Sequence, residues 1–163
     1  MFERRATTAE AMLIEGGDGG GAGNAGSAVE PRPEERASPA SSPLILLVED
    51  DFLVSMEMET GLEEAGYEVA GIAATAEDAV TLAAERRPAL VVMDIRLAGD
   101  RDGIDAALDI YRTLGIRSIF ASAHGDAGTR ARAEAARPLG WVAKPYRVET
   151  LVKAVEEALR ALQ

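Results

Sequence analysis

The stretch Leu90-Val91-Val92-Met93-Asp94, just after Pro88, constrains the fold more than any other. Four apolar residues run straight into a carboxylate. A run this short and apolar reads as a strand buried on both faces, which is the habit of parallel sheets covered by helices. Asp94 then sits at the strand's carboxyl end. In open α/β sheets the ligand crevice lies outside those ends. A lone Asp there reads first as a turn residue. That reading weakens here because other strands also run into polar residues.

The same unit recurs along the chain. Leu44-Ile45-Leu46-Leu47-Val48 is a second apolar strand and runs into Glu49-Asp50-Asp51. Phe52 to Ala65 carries Phe52, Leu53, Met56 and Leu62 at helical spacing, and Gly66 stops it. Tyr67 to Ala73 reads as a strand with Val69 and Ile72 as its apolar members. Thr75-Ala76-Glu77-Asp78 reads as a helix start with an acid three residues after the cap. That helix runs to about Arg86, and Pro88 punctuates it. Ile104 to Leu114 is helical and stopped by Gly115. Arg117 to Ala121 is a strand ending in Ser122, and Ala127 to Ala136 is an Ala/Arg-rich helix. Gly140 to Ala143 is a short strand ending in Lys144-Pro145. Val148 to Leu162 is an amphipathic helix with Leu151, Val152, Val155, Ala158, Leu159 and Leu162 inward. Five strand–helix units in strict alternation predict a doubly wound α/β domain with a five-stranded parallel sheet and right-handed crossovers. No helix-turn-helix segment is expected beyond it.

Residues 1–42 differ in kind. Gly16 to Gly26 is mostly glycine, and Glu30 to Pro43 holds Pro31, Pro33, Pro39 and Pro43 among charges and serines. Such a stretch buries too little apolar surface to offset its ordering entropy, so a disordered tail is expected ahead of a folded domain at 43–163. Phe2, Ala6, Ala9, Met12 and Leu13 share one helical face, but an isolated helix this short is marginal.

Charge excludes several function classes. The chain carries a formal net charge of -11. Residues 1–42 hold seven acids and four bases, and the remainder 21 acids and 13 bases, so the folded part is itself acidic. A nucleic-acid binder needs a basic footprint, so none is expected as partner. No stretch approaches a membrane span, and the first 14 residues lack the apolar core of a signal peptide. The chain has no cysteine, which excludes disulfides and thiolate metal sites and fits a cytoplasmic location.

Four of the five strands end in polar groups: Glu49 and Asp50, Asp94, Ser122, and Lys144. In a parallel sheet these open on one edge. Clustered carboxylates suit Mg²⁺, which wants oxygen donors and keeps several waters. A lysine beside them supplies a mobile positive charge, and a hydroxyl can meet phosphoryl oxygens. One acid can then act as nucleophile and form an aspartyl-phosphate, with metal and lysine stabilising the transferring group. Lysine usage supports this. The chain has two, Lys144 and Lys153, against fifteen arginines. Lys153 falls in mid-helix, whereas Lys144 follows an apolar strand.

Residues 44 to 163 resemble the receiver domain of two-component response regulators, of the stand-alone single-domain type. The resemblance is carried by Leu46-Leu47-Val48-Glu49-Asp50-Asp51, Val92-Met93-Asp94, Ala121-Ser122-Ala123 and Val142-Ala143-Lys144-Pro145, in the family's order and at about its spacing. It implies a flavodoxin-like (βα)5 fold. Asp94 matches the phosphoacceptor, Asp50 a direct Mg²⁺ ligand and Glu49 an acid acting through water. The backbone carbonyl of Arg96 matches a third ligand. Ser122 and Lys144 match the hydroxyl and lysine that meet the phosphoryl group, and Ser122 with Trp141 matches the switch pair. Asp51 falls one place late and reads as a helix N-terminal residue. The loop Arg96 to Gly103 lacks the family's usual proline and is one residue longer than common, so Asp100 and Asp102 read as turn residues. Arg96 and His124 match positions that tune phosphate lifetime, although His124 reads first as an exposed loop histidine.

The resemblance implies a signalling protein rather than an enzyme of metabolism. A sensor histidine kinase or histidine phosphotransfer protein would donate the phosphoryl group, and a downstream protein target would read the change. A second copy of the chain is a further candidate partner. Two other classes stay open at this point: a phosphorylation-independent binding module, and a small phosphatase working through an aspartyl-phosphate. The second usually needs an acid two residues after the nucleophile, where this chain has Arg96.

Overall fold

The computed structural model describes residues 41–163. The tail at 1–42, apart from Ser41 and Ser42, lies outside the described residues, as does the helical face at Phe2 to Leu13. The elements alternate as expected: β1 (Leu44–Val48), α1 (Phe52–Glu64), β2 (Glu68–Ala73), α2 (Ala76–Arg86), β3 (Leu90–Met93), α3 (Gly103–Leu114), β4 (Ser118–Ser122), α4 (Ala127–Ala133) with a short 3-10 turn (Glu134–Ala136), β5 (Gly140–Ala143) and α5 (Val148–Arg160). The five strands form one parallel sheet in the order β2-β1-β3-β4-β5. The order reverses between β1 and β3, which is where such sheets open a crevice.

The period-2 rule for strands divides the core in two. Leu46, Val48, Val91, Met93 and Phe120 face α2 and α3. Ile45, Leu47, Leu90, Val92, Ile119 and Ala121 face the other way, against Met58 and Leu62 of α1 and Leu151, Val155 and Ala158 of α5. All four residues of β3 are buried, as its composition predicts.

Not every apolar residue of the pattern lies in the core, and the inward reading of Leu162 needs correction. Phe52, Leu53 and Met56 do not face the core; they are 72%, 75% and 46% exposed. The inward face of α1 is instead Ser55, Met58, Gly61 and Leu62. Gly61 explains the choice. A Cβ on it would lie 1.9 Å from Cγ1 of Val148, so α5 approaches the α1 backbone closer than any larger residue allows. Ile72, on the edge strand β2, is 37% exposed, and Ala73 is the buried member. In α5, Leu162 lies past the last helical turn and is 41% exposed.

Helix ends follow local chemistry. Asp51 caps α1 by accepting from the N–H groups of Leu53 and Val54, as its reading as a helix N-terminal residue anticipated. Thr75 caps α2 through the N–H of Asp78. Gly115 closes α3 in the left-handed region at φ 71°, where glycine carries no Cβ penalty.

Candidate functional site

The sheet's own hydrogen bonding places the site. Beyond the last residue of β1, β3 and β5 the ladder continues for one step. Glu49 N–H donates to the Ala73 carbonyl at 2.9 Å, and Asp94 N–H donates to that of Val48 at 2.9 Å. Lys144 N–H donates to the Ser122 carbonyl at 3.1 Å. Each of these polar residues is therefore held at the carboxyl edge by the sheet's own hydrogen bonds.

The side chains meet there. Lys144 Nζ donates to Glu49 Oε2 at 2.6 Å and to Asp94 Oδ2 at 2.8 Å. Glu49 is 3% exposed and Asp94 6%, whereas Asp50 is exposed. Glu49 Oε1 accepts the N–H of Asp51 at 3.0 Å, and Asp94 Oδ1 accepts that of Arg96 at 3.3 Å. One carboxylate oxygen from each of Glu49, Asp50 and Asp94 falls within 4.8 Å of the others. Three acids with no nitrogen or sulfur donor make a hard-oxygen set, which suits a small divalent cation. Asp50 offers the least encumbered carboxylate, since Glu49 is occupied by Lys144 and the Asp51 N–H.

Burial and charge oppose one another in this pocket. Burial pushes the Glu49 carboxyl above its ordinary value of 4.5, and the bond from Lys144 only partly offsets that. Burial pulls Lys144 down, but its bonds to Asp94 and Glu49 outweigh this and leave it above the ordinary lysine value. Among the described residues, Lys144 is the one cation that touches the acids, and it serves two of them.

Ser122 is 5% exposed on the neighbouring strand, and its Oγ accepts the N–H of His124 at 3.2 Å. His124 is half-buried rather than exposed. Trp141 stacks on Phe120, with ring centroids 4.7 Å apart and planes inclined by 28°. Asp102 is more than a turn residue: it caps α3 in a reciprocal box with Asp105 and takes both contacts of an ion pair with Arg132 of α4. Neither it nor Asp100 joins the acidic cluster. The Lys144–Pro145 peptide bond is cis.

Two residues at the site carry no chemical signature in the sequence. A Cβ on Gly103 would lie 1.8 Å from the Asp94 carbonyl oxygen, so glycine alone lets α3 start against the end of β3. Its position just before a helix is the only signal available. Tyr146, two residues past Lys144, helps line an open cleft with Val54, Glu57, Ala123, Lys144 and Pro145. Its hydroxyl is buried without a hydrogen-bond partner, and burial pushes the phenol up to about 12.

Comparison with known proteins agrees with this geometry. The family model described as the response regulator receiver domain matches residues 45–156. The phyllosphere-induced regulator PhyR of Methylorubrum extorquens is 34% identical over 116 residues, which is 71% of this chain and 43% of PhyR. The transcriptional regulatory protein PdtaR of Mycobacterium tuberculosis is 33% identical over 127 residues, 78% of this chain and 62% of PdtaR. The chain thus spans less than two-thirds of either relative. The signal receiver domain of a modulated diguanylate cyclase from Desulfovibrio desulfuricans G20 superposes with a TM-score of 0.68 at 33% identity, covering 74% of this chain and 95% of that one. By sequence and by fold, the chain belongs to the response regulator receiver domain family.

Proposed function

We propose that this chain takes a phosphoryl group onto Asp94 from a phosphohistidine on a sensor kinase or phosphotransfer protein, and that the change alters which protein it binds. The observation that carries this is the paired contact of Lys144 with Glu49 and Asp94. An Asp already held beside a cation, at 6% exposure and on the sheet edge, is positioned for in-line attack. Asp94 Oδ attacks phosphorus, the P–N bond breaks, and its electron pair leaves with the imidazole, which takes a proton from solvent. The product is an acyl phosphate on Asp94.

Each residue has a task that its position supports. Asp50 and Asp94 would hold Mg²⁺ directly, with Glu49 through water and the Arg96 carbonyl as a further donor. When bound, the metal supplies charge neutralisation for the phosphoryl oxygens. Lys144 moves with the oxygens it neutralises, from Asp94 toward the phosphoryl group. Ser122 donates its hydroxyl to the same group. Arg96, two residues past Asp94, is exposed and supplies no acid for a phosphatase cycle on free esters. The signalling output is a shift between two arrangements of the surface around α4 and α5. The acidic balance of the chain supports a protein partner over nucleic acid. A second copy of the chain is one such candidate.

Intact mass after incubation with acetyl phosphate tests the assignment. A gain of one phosphoryl group is expected with Mg²⁺ and not with chelator, and Asp94→Asn abolishes it. Retained labelling in Asp94→Asn would remove Asp94 from the role.

A further inference from the structure

The corner between β4 and α4 holds an arrangement that the phosphoryl chemistry does not require. Arg130 lies with its guanidinium carbon 4.7 Å from the centroid of the Trp141 ring, on a ring that also stacks against buried Phe120. Its Nε donates to the Gly125 carbonyl at 3.0 Å. Gly125 fits between the two: a Cβ there would reach 3.8 Å from Arg130 Nε and 3.9 Å from Trp141 Cε3. Among the described residues Arg130 makes no salt bridge, whereas Arg132 on the same helix pairs with Asp102 and Asp105. The aromatic face and one loop carbonyl are what hold its charge, and a guanidinium over tryptophan is the favoured cation–π pair.

The loop is tied at a second point. One residue before Gly125, the His124 N–H donates to Ser122 Oγ. A continuous set of contacts therefore runs from Ser122 through His124 and Gly125 to Arg130 and Trp141. The Ser122 hydroxyl oxygen cannot keep its bond from His124 after turning about its side-chain torsion toward Asp94. Losing that bond frees the segment that carries the Gly125 carbonyl.

We propose that Arg130 is a latch between Trp141 and the β4–α4 loop. It holds the ring against Phe120 in the resting protein and lets go when Ser122 turns to a phosphoryl group. The inference rests on the roles given above to Asp94 and Ser122. It adds that the resting state is held by a cation on the outer side of the ring, and that Arg130 sets how readily the site switches. Two states with a contact made in only one of them give the latch its leverage.

Trp141 is the only tryptophan, so its emission reports the corner without a label. The test uses the full chain with Mg²⁺, titrated with beryllofluoride as the phosphoryl analogue, and reads acrylamide quenching. Arg130 is exposed and helical, so Arg130→Ala keeps the fold. In Arg130→Ala the quenching constant before any analogue is expected to rise about two-fold and the half-saturating analogue concentration to fall about five-fold, the lower range of coupling between sites. Arg130→Lys keeps a cation but loses the planar Nε donor, and falls between. Unchanged quenching in Arg130→Ala overturns the latch. Raised quenching with an unchanged half-saturation point also overturns it, because Arg130 would then only shield the ring. Intact mass after acetyl phosphate separates the two levels. Wild type that labels while Arg130→Ala leaves switching unmoved sinks the latch alone. Wild type that neither labels nor responds to the analogue sinks the reading of Asp94 and the latch with it.

Discussion

Glu49 shows how one residue can be poised by its surroundings. Burial holds its carboxyl above the ordinary 4.5, so the folded chain keeps a proton in a range where the unfolded chain has released it. In that window folding is therefore favoured by acid, and stability falls as pH rises through it. A divalent cation needs the ionised form, so the sign for metal binding is the reverse: affinity rises with pH across the same window. Calorimetric titration with Mg²⁺ at pH values rising from the ordinary Glu value of 4.5 is expected to show tightening together with proton release, and Glu49→Gln is expected to flatten that dependence. At this scale much of the candidate site is legible in sequence, because Glu49, Asp50, Asp94 and Lys144 are chemically distinctive residues at strand ends. Tyr146 is not. Its phenol is unusual only because of what covers its hydroxyl, and cover is set by distant parts of the chain.

Among the elements, the start of α3 bears most directly on the site. Gly103 N–H donates to the Ile95 carbonyl at 2.8 Å, and its missing side chain lets the helix abut the Asp94 carbonyl. Gly103→Ala drives a methyl into backbone, which cannot rotate away. It is expected to cost about 3 kcal/mol in urea unfolding, the upper range for overpacking. It should also slow Asp94 labelling, because β3 and α3 must part. The strands were legible because buried parallel strands are written as continuous apolar runs. In α1 the spacing of Phe52, Leu53, Met56 and Leu62 marks a helix but not the face that packs, which is set by how close α5 can come. Gly61 permits that approach, and a glycine leaves no trace in an apolar pattern. The loop after Asp94 reads as turn; the cap made by Asp102 is local to the start of α3, whereas its ion pair depends on α4 lying alongside.

In the domain from β1 to α5, α4 is held very differently from the helices on the opposite side of the sheet. On one side α1 and α5, of 13 residues each, are locked by Gly61 against Val148. On the other, α4 has seven residues, breaks into a 3-10 turn, and buries only Ala133. Its ends are held by the Asp126 cap on Thr129 and by Arg132 on Asp102. Amide hydrogen exchange is expected to be faster in α4 than in any other helix of the domain, since local opening follows buried contacts. In mechanical terms, α1, α5 and the sheet form a stiff frame, and α4 is a soft spring mounted on it. A displacement at the sheet edge is shared in inverse proportion to stiffness, so the largest share is expected in the spring. A seven-residue helix with one buried side chain thereby gives the domain a direction: of the surface around α4 and α5, α4 is the part expected to yield most to a change at the carboxyl edge.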